Sequence, residues 1–155
     1  MSKTRQSFTI WGGCLFVALG ILSGVGSFTF FYAKGFSYFH DDPKACANCH
    51  IMRGQYDGWN RSSHHDVATC NDCHTPHDLI GKYATKAING WNHSAAFTTG
   101  RFEEPIQIHH FNAKIARKNC LDCHGNLIST MQTFAGSEEM DCVFCHGNVG
   151  HNTRD

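Results

Sequence analysis

The sequence predicts a mainly α-helical chain with much irregular structure, in which one N-terminal transmembrane helix precedes a compact domain organised by repeated cysteine frames. Three observations carry this expectation. Residues Phe8–Ala33 form a run of 26 without a charged side chain. Eight of the 9 cysteines fall in four identical C-x-x-C-H frames. Those frames share the chain with 12 histidines in only 155 residues. The expected division is 1–34 for the anchor and 35–155 for the domain.

Composition narrows the function classes first. Lys plus Arg and Asp plus Glu are both 13, so the formal charge is zero, and the dominant basic face of a nucleic-acid binder is not expected. With 17% charged and 41% hydrophobic residues, the chain is no disordered acidic tail. Only 3 Pro, and 15 Gly without a period, exclude collagen-like and low-complexity classes. A small chain rich in thiols and imidazoles remains. Such chains are stapled by disulfides, by metal or by a covalent cofactor.

The apolar run comes first. As a helix rising about 1.5 Å per residue it reaches about 39 Å, more than the roughly 30 Å hydrocarbon core. A cleaved signal peptide would carry an apolar core about half as long. Nor does a small-residue cleavage site follow, because Ser27–Ala33 is bulky. An uncleaved anchor is therefore expected. Charge does not orient it: Lys3 and Arg5 precede the span, and Lys34, Lys44 and Arg53 follow it. Cys14 lies inside the span and reads as an ordinary small apolar side chain.

The other eight cysteines fall in frames Cys46–His50, Cys70–His74, Cys120–His124 and Cys142–His146. C-x-x-C-H is the attachment frame of c-type haem. Two thiols at this spacing each add to a haem vinyl group, and the next residue offers an imidazole to the iron. The expected tethers are therefore Cys46 with Cys49, Cys70 with Cys73, Cys120 with Cys123, and Cys142 with Cys145. About 0.04 such frames are expected by chance from this composition. Paired zinc sites need the cysteines without a histidine after each pair, and disulfides need neither. Four covalent c-type haems are the expected cofactors. Such haems are attached outside the bacterial cytoplasmic membrane. The N-terminus is then cytoplasmic, and residues from about Lys34 onward face the periplasm.

The first cysteines of the frames are separated by 24, 50 and 22 residues. Pair, long gap, pair predicts a tetrahaem cytochrome c domain of two dihaem modules, near His40–His77 and Lys118–His151. His50, His74, His124 and His146 are the frame imidazoles. Eight others remain: His40, His64, His65, His77, His93, His109, His110 and His151. That surplus suggests two imidazoles on most irons. His65, His77 and His151 each lie too close to their own frame to reach its far face, so each is expected to serve a neighbouring haem. The first frame continues Ile51-Met52, and the Met52 thioether competes with His50 for iron. Its alternative is a packing role.

Between the modules, Asp78 is an N-cap for a helix over Leu79–Trp91. Leu79, Ile80, Tyr83, Ala84, Ala87, Ile88 and Trp91 recur at helical spacing and form an apolar stripe. Lys82, Lys86 and His93 share another face. That face is either solvated or a polar site holding a basic group and a proton acceptor beside a haem.

Taken together, these residues resemble the NapC/NirT family of membrane-anchored multihaem quinol dehydrogenases. The matching features are the anchor, Asp41–Cys46, Cys46–Met52, Ser63-His64-His65, Cys70–His77, Lys86-Ala87-Ile88 and the last two frames. They span essentially the whole chain, and its short length resembles the members that serve an ammonia-forming nitrite reductase. The resemblance implies that Met52 rather than His50 ligates the first haem, whose open far side forms the quinol site. It implies that Lys86 binds quinol there. Some members carry Asp where this chain has His93, which leaves His93 either a proton acceptor or a cap on the iron. His65 and His151 match family distal ligands. His77 matches a family motif, and a partner subunit completes one iron in some members.

The implied function is menaquinol oxidation, with electrons passed to the catalytic subunit of a periplasmic multihaem nitrite reductase in a hetero-oligomer. Two alternatives stand beside it: the same chemistry feeding another periplasmic reductase, and an anchored conduit without a quinol site. Aromatic side chains from Phe28 to Phe39 crowd the end of the span as an interfacial belt or as a quinol entrance. Nitrite reduction by this chain itself is not expected, because no C-x-x-C-K frame is present.

Overall fold

The computed structural model describes residues 3–135 and 141–151. The described residues contain helices and turns but no strand, as the sequence predicts. The chain divides into two compact units, one ending at His40 and one beginning at Asp41.

In the first unit, helix α1 (Lys3–Tyr32) contains the apolar stretch Ser7–Tyr32, long and apolar enough to cross a membrane. Its large apolar side chains, Phe16 and Leu22 among them, are exposed, as lipid contact requires. The helix ends where Lys34 adopts a left-handed conformation at φ 52°. A short 3₁₀ turn, Gly35–Phe39, then folds back. The Phe30 ring meets the Phe36 ring edge-on at 4.9 Å. A Cβ on residue 35 would meet the Phe30 ring, so glycine lets the turn close against the ring without displacing it.

The second unit is a set of short capped helices around two longer ones. Asp42 caps α2 (Pro43–Cys46) by accepting from the Lys44 amide at 2.9 Å, with Pro43 in the first turn. Cys49 then opens a 3₁₀ turn, His50–Met52, as its N-cap residue, and the turn leads into α3 (Arg53–Asn60). In α4 (Cys70–His74), the Asp72 carboxylate accepts from the Thr69 amide at 2.7 Å and from its hydroxyl at 2.8 Å. The acidic residue inside the second frame is thus a capping group.

The expected N-cap of α5 (Leu79–Thr99) is present: Asp78 accepts from the Gly81 amide at 2.7 Å. The helix runs eight residues beyond Trp91. It stops at Gly100, whose φ of 66° suits a glycine C-terminal cap. Helix α6 (His110–Ala135) carries the third frame within its length, so Cys120 and Cys123 stand about one helical turn apart. Helix α7 (Cys142–Cys145) carries the fourth.

Packing follows the frames. Helix α2 contacts α3 and α4, α4 lies along α6, and α6 contacts α7. The contact of α4 with α6 crosses the long gap between the two predicted modules. Asn119, only 4% exposed, fixes it by donating to the carbonyls of Thr75 at 2.8 Å and Cys73 at 3.1 Å. The Asn89 and Asn112 amides bond each other reciprocally at 3.1 and 3.0 Å and join α5 to α6.

No hydrophobic side chain is fully buried among the described residues. The predicted apolar stripe of α5 is outward: Leu79, Ile80 and Trp91 are all more than two-thirds exposed. Its polar side faces the unit instead, with Thr85 2% exposed and Lys86 10% exposed in its side chain.

Candidate functional site

The four frames form a series in space as well as in sequence. The Cys46 thiol hydrogen-bonds the Cys70 thiol, which draws Cys46 down to about 7 against the opposing effect of burial, and the Lys86 charge adds to the lowering. The same bond, with burial, pushes Cys70 up. These two sulfurs belong to the first and second frames. Burial raises Cys73, and the Cys120 and Cys123 thiols of the third frame add to it. Burial raises Cys120 in turn, with Cys142 next to it. Frames one to four are therefore successive neighbours.

All eight frame cysteines are free rather than paired in disulfides. The second cysteine of three frames, at Cys49, Cys123 and Cys145, is exposed, whereas Cys73 is half-buried between α4 and α6. Exposure leaves Cys49 and Cys123 open to a vinyl group. Cys73 lies instead where the second and third frames meet.

Two imidazole pairs test whether haem fits. The rings of His74 and His151 lie 6.1 Å apart, centroid to centroid, with planes within 10°. Those of His64 and His124 are also 6.1 Å apart, at 71°. Two metal–nitrogen bonds of about 2 Å and two ring half-widths of about 1.1 Å put the centroids of an axial pair about 6 Å apart. Burial, then His151, holds His74 below the ordinary imidazole value, and burial does the same to His151. Both are then neutral near pH 7, the form that binds metal. Nδ1 of His151 is buried without a partner among the described residues. The lack of a buried hydrophobic side chain among the described residues points the same way, because porphyrin faces would cover side chains left bare. Haem fits these residues.

The remaining expected ligands have varied surroundings. Met52 is partly buried while His50 is exposed, and the His50 ring lies 6.3 Å from Phe97. His65 sits 4.8 Å from the Trp59 ring and bonds Asp66 at 3.0 Å. It is the adjacent His64 that faces His124. His77 Nε2 donates to the Asp72 carbonyl at 3.1 Å, and its Nδ1 lies 3.9 Å from Asp122. It thereby links the second frame to the third. His146 is exposed at the end of α7.

Beside the first two frames stands a charged cluster. Asp41 accepts from Lys82 Nζ at 2.5 Å, from Lys86 Nζ at 3.2 Å and from Asn71 Nδ2 at 2.8 Å. The Lys82 hydrogen bond, then that of Lys86, holds the Asp41 carboxyl below the usual carboxylate range despite some opposing desolvation. Asp41 in turn raises Lys82. The Lys86 ammonium is 5.7 Å from the centre of the Tyr83 ring. His93 lies two helical turns from Lys86, about 10 Å along the axis. Burial, then the nearby His109, lowers it, so it is neutral at pH 7 and able to take a proton.

Sequence reasoning missed the roles of Asn71, Asn119 and His109. The first two adjoin the cysteines Cys70 and Cys120, the one signal that pointed to them. Asp41 entered only as part of a family match. Nothing in the sequence brings it to lysines 41 and 45 positions away.

An apolar anchoring helix joined to a unit of haem-attachment frames defines a membrane-anchored c-type cytochrome, and its haem is covalently bound. Residues 6–107 match the NapC/NirT cytochrome c family, N-terminal region, and residues 69–147 match the cytochrome c554 and c-prime family. The chain belongs to the NapC/NirT cytochrome c family.

It is 35% identical to the cytochrome c-type protein NrfH of Wolinella succinogenes, over 95% of this chain and 88% of that one. It is 31% identical to the cytochrome c nitrite reductase subunit NrfH of Nitratidesulfovibrio vulgaris, over 77% and 72%. Among solved structures it resembles a chain of the cytochrome c nitrite reductase NrfHA complex bound to the inhibitor HQNO. The TM-score there is 0.65 at 26% identity, covering 95% of this chain and 92% of that one.

Proposed function

We propose that this chain is a tetrahaem quinol dehydrogenase that oxidises menaquinol at the periplasmic side of the cytoplasmic membrane. Its electrons pass to the catalytic subunit of an ammonia-forming nitrite reductase held in complex with it. The observation that carries this reading is the placement of Lys86 beside the first haem frame of an anchored cytochrome similar to a cytochrome c nitrite reductase subunit and to a chain of a nitrite reductase complex.

The frame cysteines hold the haems as thioethers: Cys46 and Cys49 the first, Cys70 and Cys73 the second, Cys120 and Cys123 the third, Cys142 and Cys145 the fourth. Once alkylated, Cys46 and Cys70 no longer titrate. His74 and His151, and His124 and His64, would hold two of the irons through their imidazoles, and Met52 would hold the first and His146 the fourth. His77 ties the frames together, and His65 packs on Trp59. Haem, once bound, supplies a one-electron acceptor at each frame. The succession of frames gives electrons a route from the first frame to the fourth.

Oxidation of a quinol releases two protons and two electrons. Lys86 orients the quinol oxygen through its ammonium. His93, about two turns along α5 and so out of reach of that oxygen, serves the quinol's other oxygen and relays the two protons outward in turn; burial, with His109 beside it, keeps it uncharged beforehand. Replacing Lys86 with Ala is expected to lower quinol oxidation by about tenfold or more, the loss typical of a charge-assisted hydrogen bond. All four haems stay attached. An unchanged rate in a fully haem-loaded Lys86→Ala protein overturns the assignment.

A further inference from the structure

A lysine that binds quinol needs its ammonium held still, and the structure shows what holds Lys86. Its side chain is 10% exposed, and a charge that far from water needs a partner. Asp41 is that partner at 3.2 Å. The same carboxylate is itself fixed twice more. Lys82 bonds its other oxygen at 2.5 Å, and Asn71, 8% exposed and next to Cys70, donates at 2.8 Å to the same oxygen as Lys86. Asp41 thus joins α5, which carries both lysines, to α4, which carries the second frame. Its own position, just before the Asp42 cap of α2, links the cluster to the first frame.

We propose that Asp41 is the positioning residue of the quinol site: its carboxylate, braced by Asn71 and Lys82, fixes the Lys86 ammonium beside the first haem frame so that it meets the quinol oxygen in one orientation. An ammonium has three N–H donors, and directing one at Asp41 sets the directions of the others. A carboxylate held by two ammonium groups is a poor base, so Asp41 acts through Lys86 and not as a proton acceptor. The proposal rests on Lys86 being the quinol-binding lysine.

The test uses the haem-loaded chain in complex with its reductase and the inhibitor HQNO as probe. HQNO is titrated against the haem absorption spectrum, and quinol KM and kcat are measured alongside. Asp41→Asn is expected to weaken HQNO binding about tenfold and to raise KM more than it lowers kcat. Asp41→Glu, which keeps the charge, recovers most of the affinity. Asn71→Ser, which only loosens the brace, weakens binding about threefold and serves if Asp41→Asn loses haem. In a Lys86→Ala background, Asp41→Asn has no further effect, because the two act as one unit.

Wild-type HQNO affinity in Asp41→Asn and Asn71→Ser, with Lys86→Ala impaired, overturns the role of Asp41 and leaves the quinol site standing. Wild-type affinity in Lys86→Ala overturns the quinol-site reading, and the Asp41 proposal with it.

Discussion

The charge on Asp41 is stabilised in the folded protein mainly by the Lys82 hydrogen bond, with Lys86 adding to it. Its folded value therefore lies below the unfolded one, and the folded state binds fewer protons near pH 4. The stabilisation is fully present above the ordinary Asp value of about 3.9 and is lost as pH falls through the folded value. Lys82 shifts the other way, raised by Asp41. Its contribution is fully present below about pH 10.4 and is lost as pH rises through its folded value. Both groups are solvent-exposed enough for salt to weaken the effect. Thermal unfolding of the haem-loaded protein across pH is expected to show a destabilising effect of Asp41→Asn at pH 7 that shrinks below pH 4. An effect of equal size at pH 3 and pH 7 would contradict this account.

Helix α5 shows what local sequence can and cannot reveal. The Asp78 cap was legible because the cap and the amide it accepts from are three residues apart. Its geometry also makes a prediction. A Cβ on Gly81 would stand 2.5 Å from the Asp78 carboxylate and 3.0 Å from the Pro76 Cβ. Gly81→Ala is therefore expected to leave stability nearly unchanged, because the lost cap offsets the roughly 1 kcal/mol that alanine ordinarily adds to a helix. A gain of about 1 kcal/mol in denaturant unfolding of the haem-loaded variant would contradict the clash. The apolar stripe of the same helix was legible as a pattern but not in its direction. Stripe reasoning assumes that side chains bury one another, and here ion pairs with Asp41 turn the lysine face inward. The frames were legible in full because attachment chemistry fixes their spacing. Their mutual packing was not. The covalent gap of 50 residues suggests two modules, whereas Asn119 ties α4 to α6 across that gap. The sequence singled out His65 as a distal ligand rather than its neighbour His64, whose ring is the one turned toward His124, a one-residue choice that only tertiary placement reveals.

Large apolar side chains are exposed in both units among the described residues. Those of α1 suit lipid, and those of the second unit suit porphyrin. With no hydrophobic side chain buried among the described residues, covalent haem suits the place of a core in the second unit. The proposed function follows from putting Lys86, a series of haem-attachment frames and an apolar helix long enough to cross a membrane on one short chain. The most direct measurement isolates the chain with its reductase partner, supplies menaquinol as the only electron donor and follows nitrite and ammonium. The account predicts that nitrite is consumed and ammonium formed as quinol is oxidised, and that removing this chain stops the reaction. Menaquinol left unoxidised by a complex whose haems remain reducible by a chemical reductant would contradict it.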